Sequence, residues 1–324
     1  MIDKIKMQIR SISKRLRAVF GCDSDLHERN ILLQAKFLSV QRHKGRIELL
    51  REAEFRVFSQ WGEDGIIDWL IACIPDINKS FVEFGVQNYR ESNTRYMLMA
   101  HNWRGLVMDG SMTNIEDIRT QDIYWRHDIL AKCAFIDCNN INSLLADSGF
   151  HGEIGLLSID IDGNDYWVWQ AIEVASPVIV VCEYNAVLGD CLSLTVPYDS
   201  NFYRTRAHHS NLYFGASIRA LVKLGESKGY IFVGTSSNGC NAFFVRRDHA
   251  SKVISQLDKI VAYPSSVRES RDINGRLTFV SAEARQKLIG DLPFVNLEDG
   301  VCHDLASWGE LNSDNWKQGK AVEF

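Results

Sequence analysis

Ser80 to Ser111, reading SFVEFGVQNYRESNTRYMLMAHNWRGLVMDGS, is the stretch that decides the fold. Phe81-Val82-Glu83-Phe84 is a short apolar run with one acid near its end, broken by Gly85 and followed by a polar turn from Gln87 to Asn93. Thr94 to Asn102 carries apolar residues at helical spacing. Gly105-Leu106-Val107-Met108 reads as a second buried strand, ending in Asp109-Gly110-Ser111. Strand, turn, helix and strand with an acid at its tip is a βαβ unit, which puts a nucleotide site at the carboxyl ends of the strands. Asp109 follows Gly85 at close to the roughly 20-residue spacing from which an acid accepts hydrogen bonds from a ribose.

Several nucleotide cofactors use a βαβ unit. A diphosphate loop wants three glycines, and only Gly85 stands here, which counts against NAD. Glu83 at the first strand's tip suits a cofactor with a cationic amino-acid moiety better than a diphosphate. The plainer alternative is that Glu83 and Asp109 are ordinary strand-end acids. At Glu83-Phe84-Gly85-Val86 the chain resembles the class I S-adenosylmethionine-dependent methyltransferases. The style is that of the macrocin-type and FkbM-like sugar O-methyltransferases, which carry E-x-G-V in place of a glycine-rich loop. The resemblance covers about residues 55–250. It implies an α/β fold: a Rossmann-like, seven-stranded, mostly parallel sheet ending in an antiparallel hairpin. It also implies S-adenosyl-L-methionine as cofactor, held by Glu83, Gly85, Asp109 and Gly110. The reaction implied is O-methylation of a sugar, glycan or related small hydroxylated substrate.

A second signal is Ile154-Gly155-Leu156-Leu157-Ser158-Ile159-Asp160-Ile161-Asp162-Gly163-Asn164-Asp165, an apolar strand running into three acids. Alternation along a strand would point Asp160 and Asp162 the same way. Pro177 to Cys182 is a further strand, and Glu183 brings another acid to the same edge. Carboxylates gathered this way repel unless a divalent metal, a sulfonium or a protonated partner sits among them. The resemblance implies Mg²⁺ held by Asp162 with Glu183, and Asp160 beside them. This chain departs from the pattern in having Cys182 where a second adjacent acid is usual, and cysteine is a poor Mg²⁺ ligand. The alternative is that Asp160 and Asp162 cap loops without any ion.

O-methylation needs a hydroxyl held in line with the methyl group, with a base nearby. The stretch from Val196 to Tyr213 reads as a long loop over the strand ends, and it offers His208 and His209 as that base beside Tyr198, Phe202, Tyr203 and Arg204. Gln60 and Glu63 stand ahead of an apolar helix from Ile66 to Ile74; the resemblance implies them as lid contacts to the cofactor, and simple helix capping explains the pattern as well. Trp125 to Asp128 and then Ala134 to Asp137 read as the third strand and its lead-in, and the resemblance implies that Asp137 meets the adenine. Ser217 to Ser227 is a helix. Gly229 to Gly234 and Asn241 to Val245 around Ser237-Asn238-Gly239 read as a hairpin, an ending that a NAD-binding domain lacks.

The remaining sequence bounds the answer. A chain of 324 residues, 46% hydrophobic and 24% charged with a net charge of −5, has an ordinary globular composition and no whole-chain nucleic-acid character. No apolar run is long enough to span a membrane, and no signal peptide is expected. The eight cysteines form no CxxC pair, which predicts a reduced, cytoplasmic protein. Ile2, Ile5, Ile9, Ile12, Leu16 and Val19 form a narrow helical stripe among six basic residues. Residues 1–20 therefore suit packing on their own domain, a homo-oligomer contact, or a peripheral site on an anionic membrane at its inner face. A helix from Leu26 to Gln41 follows. The expected domains are a helical basic arm (1–54), a methyltransferase-like domain (55–250) and a C-terminal extension (251–324) with helices over Ser251–Ile260 and Ala282–Gly290. Two other readings stay open: a NAD-dependent oxidoreductase, and a non-catalytic membrane- or partner-binding protein that keeps the fold.

Overall fold

The chain divides into two compact units, Met1–Lys44 and Gly45–Phe324. The structure, a computed structural model, describes residues 26–41 and 45–324. In the first unit residues 26–41 form one helix, α1, over the expected span. The basic stripe of residues 1–20, with the membrane or oligomer contact expected of it, lies outside the described residues. No helix among the described residues is long and apolar enough to cross a membrane.

The second unit begins with α2 (Glu63–Cys73) and the βαβ unit read from the sequence: β1 (Ser80–Phe84), α3 (Arg95–His101) and β2 (Arg104–Asp109). There follow α4 (Met112–Thr120), α5 (Asp122–Arg126), β3 (Ile129–Cys133), α6 (Ile141–Asp147), β4 (Gly152–Ile159), α7 (Asp165–Ala171) and β5 (Ala175–Glu183). After the short β6 (Leu194–Thr195) and α8 (Arg204–Ala207) come α9 (Ile218–Ser227), β7 (Tyr230–Thr235) and β8 (Asn241–Arg246). The C-terminal part holds α10 (Arg247–Ile254), β9 (Val261–Ala262), α11 (Glu283–Leu288), β10 (Pro293–Asn296), β11 (Cys302–Asp304), α12 (Asp314–Lys317) and β12 (Val322–Glu323).

Seven strands form one sheet in the order β3-β2-β1-β4-β5-β8-β7, parallel except for β8, which runs antiparallel to both its neighbours. This is the expected sheet with its closing hairpin. Val178, Ile179, Val180, Val181 and Cys182 of β5 are fully buried, because a parallel strand covered on both faces must be apolar throughout rather than alternate. Each such aliphatic side chain contributes about 1.5–3 kcal/mol by leaving water. Helix α9 packs on the sheet through Ile218, Leu221 and Leu224, and its start is fixed by Ser217, whose Oγ accepts the Ala220 N–H. The C-terminal segment joins the same body: β10 pairs with β6 and β11, and β9 pairs with β12.

Register alone aligns the acids. Phe84 pairs with Met108, Glu83 with Ser158, and Ile159 with Cys182. Asp109, Asp160 and Glu183 therefore stand at one edge, the carboxyl ends of β2, β4 and β5. The chain order reverses between β1 and β4, which opens the crevice where an α/β sheet takes its ligand.

Three local expectations need correction. The third strand is Ile129–Cys133, while Trp125 lies in α5 and 134–137 is loop. The ladder to β2 runs through Ile129, Leu130, Ala131, Lys132 and Cys133, and only Ile129 and Ala131 are buried, so this edge strand lacks an apolar run. The helix placed over Ser251–Ile260 is α10, ending at Ile254. Alternation does not bring Asp160 and Asp162 together either: β4 stops at Ile159 and Asp162 takes φ +58°, so a turn does it.

Candidate active site

The loop after β1 is held from three sides. Gly85 takes φ +70°, and its amide donates to the Met108 carbonyl at 2.9 Å. Asp109 accepts the Gln87 N–H on one oxygen at 2.8 Å, and the Ser111 N–H and the Asn114 side-chain amide on the other. That carboxylate, 8% exposed, braces the Gly85–Gln87 turn against the start of α4 and still faces the cavity described below. Glu83 turns away from it. Its carboxylate accepts from Ser92 Oγ, Thr94 Oγ1 and the backbone N–H groups of Asn93 and Thr94, which ties the polar turn to the start of α3. Burial pushes the Glu83 carboxyl above its usual range against these four hydrogen bonds.

Gln60 and Glu63 sit at the neighbouring strand ends. Glu63 is fully buried and accepts from the Trp61 N–H and from Asn241 Nδ2, both at 3.0 Å. Gln60 lines a small recess of about 110 Å³ together with Glu83, Gly85 and Asp160. Asp64, which the sequence reading passed over, organises this segment: one oxygen accepts the N–H groups of Val57, Phe58 and Ser59 and the Ser59 hydroxyl. Burial nevertheless pushes its carboxyl up to about 6.

Asp160, Asp162 and Glu183 each offer an oxygen within 4.8 Å of the others. The cation beside them is Arg204, on α8. Its Nη1 lies 2.5 Å from Asp162 and 3.7 Å from Glu183, its Nε donates to the Asn211 carbonyl, and its guanidinium carbon lies 3.7 Å from the Phe214 ring centroid. Burial and then the Asp162 charge hold Asp160 well above the usual carboxyl range, and burial and then Asp160 do the same to Glu183. Glu183 Oε2 and Asn164 Oδ1 are buried acceptors with no hydrogen-bond partner. Asp165 shapes the turn beneath, accepting the N–H groups of Ile161 and Gly163; burial pushes it up to about 6.

A cavity of about 460 Å³ opens above these groups, lined by Gly85, Asp109, Gly110, Ser111, Asn114, Asp160, Asp162 and Asn164 on the sheet side. Phe202, Tyr203 and Arg204 close it from the loop side, and Phe135 from the loop after β3. Phe135 and Tyr203 face each other in nearly parallel planes (13°) with centroids 6.5 Å apart. Gly163 is required here by close approach: a Cβ would fall 2.2 Å from the Phe202 ring. Tyr198 Oη accepts the Cys138 N–H and so joins the two loops.

The structure thus brings together Gly85, Asp109, Gly110, Asp160, Asp162 and Glu183. It does not bring Asp137, His208 or His209 to the cavity wall. Asp137 accepts the N–H groups of Asn139 and Asn140 ahead of α6. His208 bonds Ser210 Oγ through Nδ1 and packs on His209; burial and then that neighbour lower its pKa. Asn114, Phe135, Asn164 and Arg204 were not singled out as site residues. Only Arg204, an arginine in a long aromatic loop, gave any signal.

No protein-family profile matches the chain, and no curated protein matches its sequence. Solved structures do resemble it. The N-terminal domain of EvdMO1 with SAH bound is 11% identical over 68% of this chain and 96% of its own, with a TM-score of 0.40. An O-methyltransferase from Bacillus cereus in complex with SAH is 10% identical over 66% of this chain and 89% of its own, at 0.38. An S-adenosylmethionine-dependent methyltransferase from Clostridium acetobutylicum is 11% identical over 52% and 83%, at 0.32. Likeness at this level says nothing about activity. The chemistry has to be read from this chain's own residues.

Proposed function

We propose that the chain is an S-adenosylmethionine-dependent methyltransferase acting on a hydroxyl of a small, polar, sugar-like acceptor. The observation that carries this is the cavity itself: a single-glycine turn and a strand-end acid on one side, two parallel aromatic rings over it, and the half-buried Asp160 and exposed Asp162 at its floor. These residues fit the cofactor. Asp109 retains acceptor capacity for one ribose hydroxyl, since a carboxylate offers about four lone-pair sites and three are used. Phe135 and Tyr203 suit the flat faces of a purine, and the acids suit a sulfonium. Bound there, the cofactor would supply an electrophilic methyl group.

The chain's own part is to position a hydroxyl and take its proton. Asp160, which lines both the cavity and the recess beside Gly85, is the acceptor best placed for that hydroxyl, with Glu183 beside it in the acid cluster. The Asp160–Glu183 pair would take the proton that the hydroxyl gives up on accepting the methyl group, with S-adenosylhomocysteine as the leaving product. A carboxyl pair with raised pKa is a better base than an isolated surface acid. Arg204 holds Asp162 and Glu183 in place. The donor set does not fit a resident Mg²⁺ as it stands, because the Arg204 guanidinium already neutralises Asp162 and Glu183.

The test is calorimetric titration with S-adenosylhomocysteine, with and without Mg²⁺, and with NAD⁺ as the control. Micromolar binding of the homocysteine compound alone is expected. Binding of NAD⁺ instead would favour the oxidoreductase, and silence from both would leave a non-catalytic protein.

A further inference from the structure

A second cavity, of about 740 Å³, lies between α11, the segment from Pro264 to Arg268, and α12. Its lining is mostly basic: Arg268, Arg285, Lys287 and Lys317 stand against one acid, Glu283, although Lys317 is already paired with Glu310. Arg285 is the unusual member. It is 8% exposed, its Nε is buried with no hydrogen-bond partner, and among the described residues no carboxylate lies within ion-pair distance of its guanidinium. The acid whose field it feels, Glu269, is already held by Arg271 at 2.9 and 3.1 Å. Burial, with the Arg204 charge adding to it, lowers the Arg285 pKa against the pull of Cys240 and Glu269. A buried cation without a counter-ion is costly, and proteins seldom keep one without a use.

We propose that Arg285 anchors an oxyanion subsite, and that the cavity beside α11 takes a ligand's carboxylate or phosphate group. The planar guanidinium fork matches both groups, and an anion there replaces the missing partner.

The experiment is thermal unfolding of the full chain at matched ionic strength, with chloride replaced stepwise by inorganic phosphate in one series and by acetate in another. The wild type is expected to show a saturable rise in Tm. A rise with phosphate alone assigns a phosphate group, and one with acetate as well assigns a carboxylate. Arg285→Met should unfold at or above the wild-type temperature without phosphate, because it removes an unpaired buried charge, and should lose the saturable rise. Should that variant fail to fold, Arg285→Lys keeps the charge without the fork and is expected to raise the midpoint concentration on the order of tenfold. The proposal is overturned by a wild type that shows no saturable rise, or by either variant responding as the wild type does. S-adenosylhomocysteine is titrated in parallel: its failure to bind would sink the methyltransferase reading while leaving the anion series to judge Arg285.

Discussion

The α-carbon of Gly85 packs against the backbone of Asp160 so closely that a Cβ built on it would stand 1.7 Å from the Asp160 carbonyl oxygen. The same residue holds φ +70°. Gly85→Ala therefore meets two costs: about 1–2 kcal/mol for the left-handed backbone, and the separation of β1 from β4 that the clash requires. We expect a Tm lower by several degrees and loss of S-adenosylhomocysteine binding, read by thermal unfolding and calorimetry. A variant that melts with the wild type and binds equally well would show that the turn relaxes freely and does not shape the cavity.

Arg204→Met tests which cation the acid cluster uses. Breaking a fully buried ion pair costs about 3–5 kcal/mol, but Asp162 is 57% exposed, so solvent screens much of the loss. We expect a modest fall in stability in metal-free buffer. The variant should then gain stability with millimolar Mg²⁺, because three carboxylate oxygens within 4.8 Å lose their guanidinium. The wild type should not respond to Mg²⁺ or to chelator. Equal Mg²⁺ stabilisation of both proteins would mean that ion and guanidinium coexist, and would restore the metal reading.

What the sequence made legible follows from burial. Phe81–Phe84, Gly105–Met108 and Pro177–Cys182 read as strands because both faces are covered, and their tips then located Asp109, Asp160 and Glu183. Strand β3 was misplaced because an edge strand carries Leu130 and Lys132 outward, while exposed Trp125 imitates a strand residue. Glu83 has a strand-tip position in sequence, but its bonds run to Ser92, Asn93 and Thr94, and no spacing rule reveals which way a carboxylate turns. Arg204 and Asp162 are 42 residues apart. Their pairing depends on how a loop folds back over the sheet, which composition does not encode. Asp64 was hidden for a related reason: it serves backbone groups upstream of its own helix.

Phe135 and Tyr203 are 47% and 51% exposed, more than rings of their size usually are when they only fill a core. A stacked base is worth about 1–3 kcal/mol when its aromatic partner is truncated, so Phe135→Ala and Tyr203→Ala should each weaken S-adenosylhomocysteine binding by roughly 5- to 150-fold. Neither should lower the unfolding free energy by more than about 1 kcal/mol, since exposed rings bury little surface. Calorimetry and urea denaturation on the same preparations separate the effects. Unchanged affinity in both variants would place the purine elsewhere in the cavity.

Buried acids set the pH dependence of stability. Asp64 and Asp165 are pushed up to about 6 from 3.8, and Asp160 and Glu183 are raised well above their usual values, each first by burial. A raised carboxyl binds its proton more tightly in the native state than in the unfolded one. The unfolding free energy should therefore fall as pH rises from about 4 through 6, by up to roughly 3 kcal/mol for each of the two aspartates pushed up to about 6. Asp64→Asn isolates one group: its amide oxygen can keep the Val57, Phe58 and Ser59 bonds, and its NH₂ replaces Oδ1, which has no partner. In urea titrations at pH 4, 5, 6 and 7 (about unit steps, as the window requires), the wild type should lose stability relative to this variant as pH rises. If its advantage over the variant grows instead, Asp64 ionises at or below the ordinary carboxyl range, and its four hydrogen bonds outweigh burial.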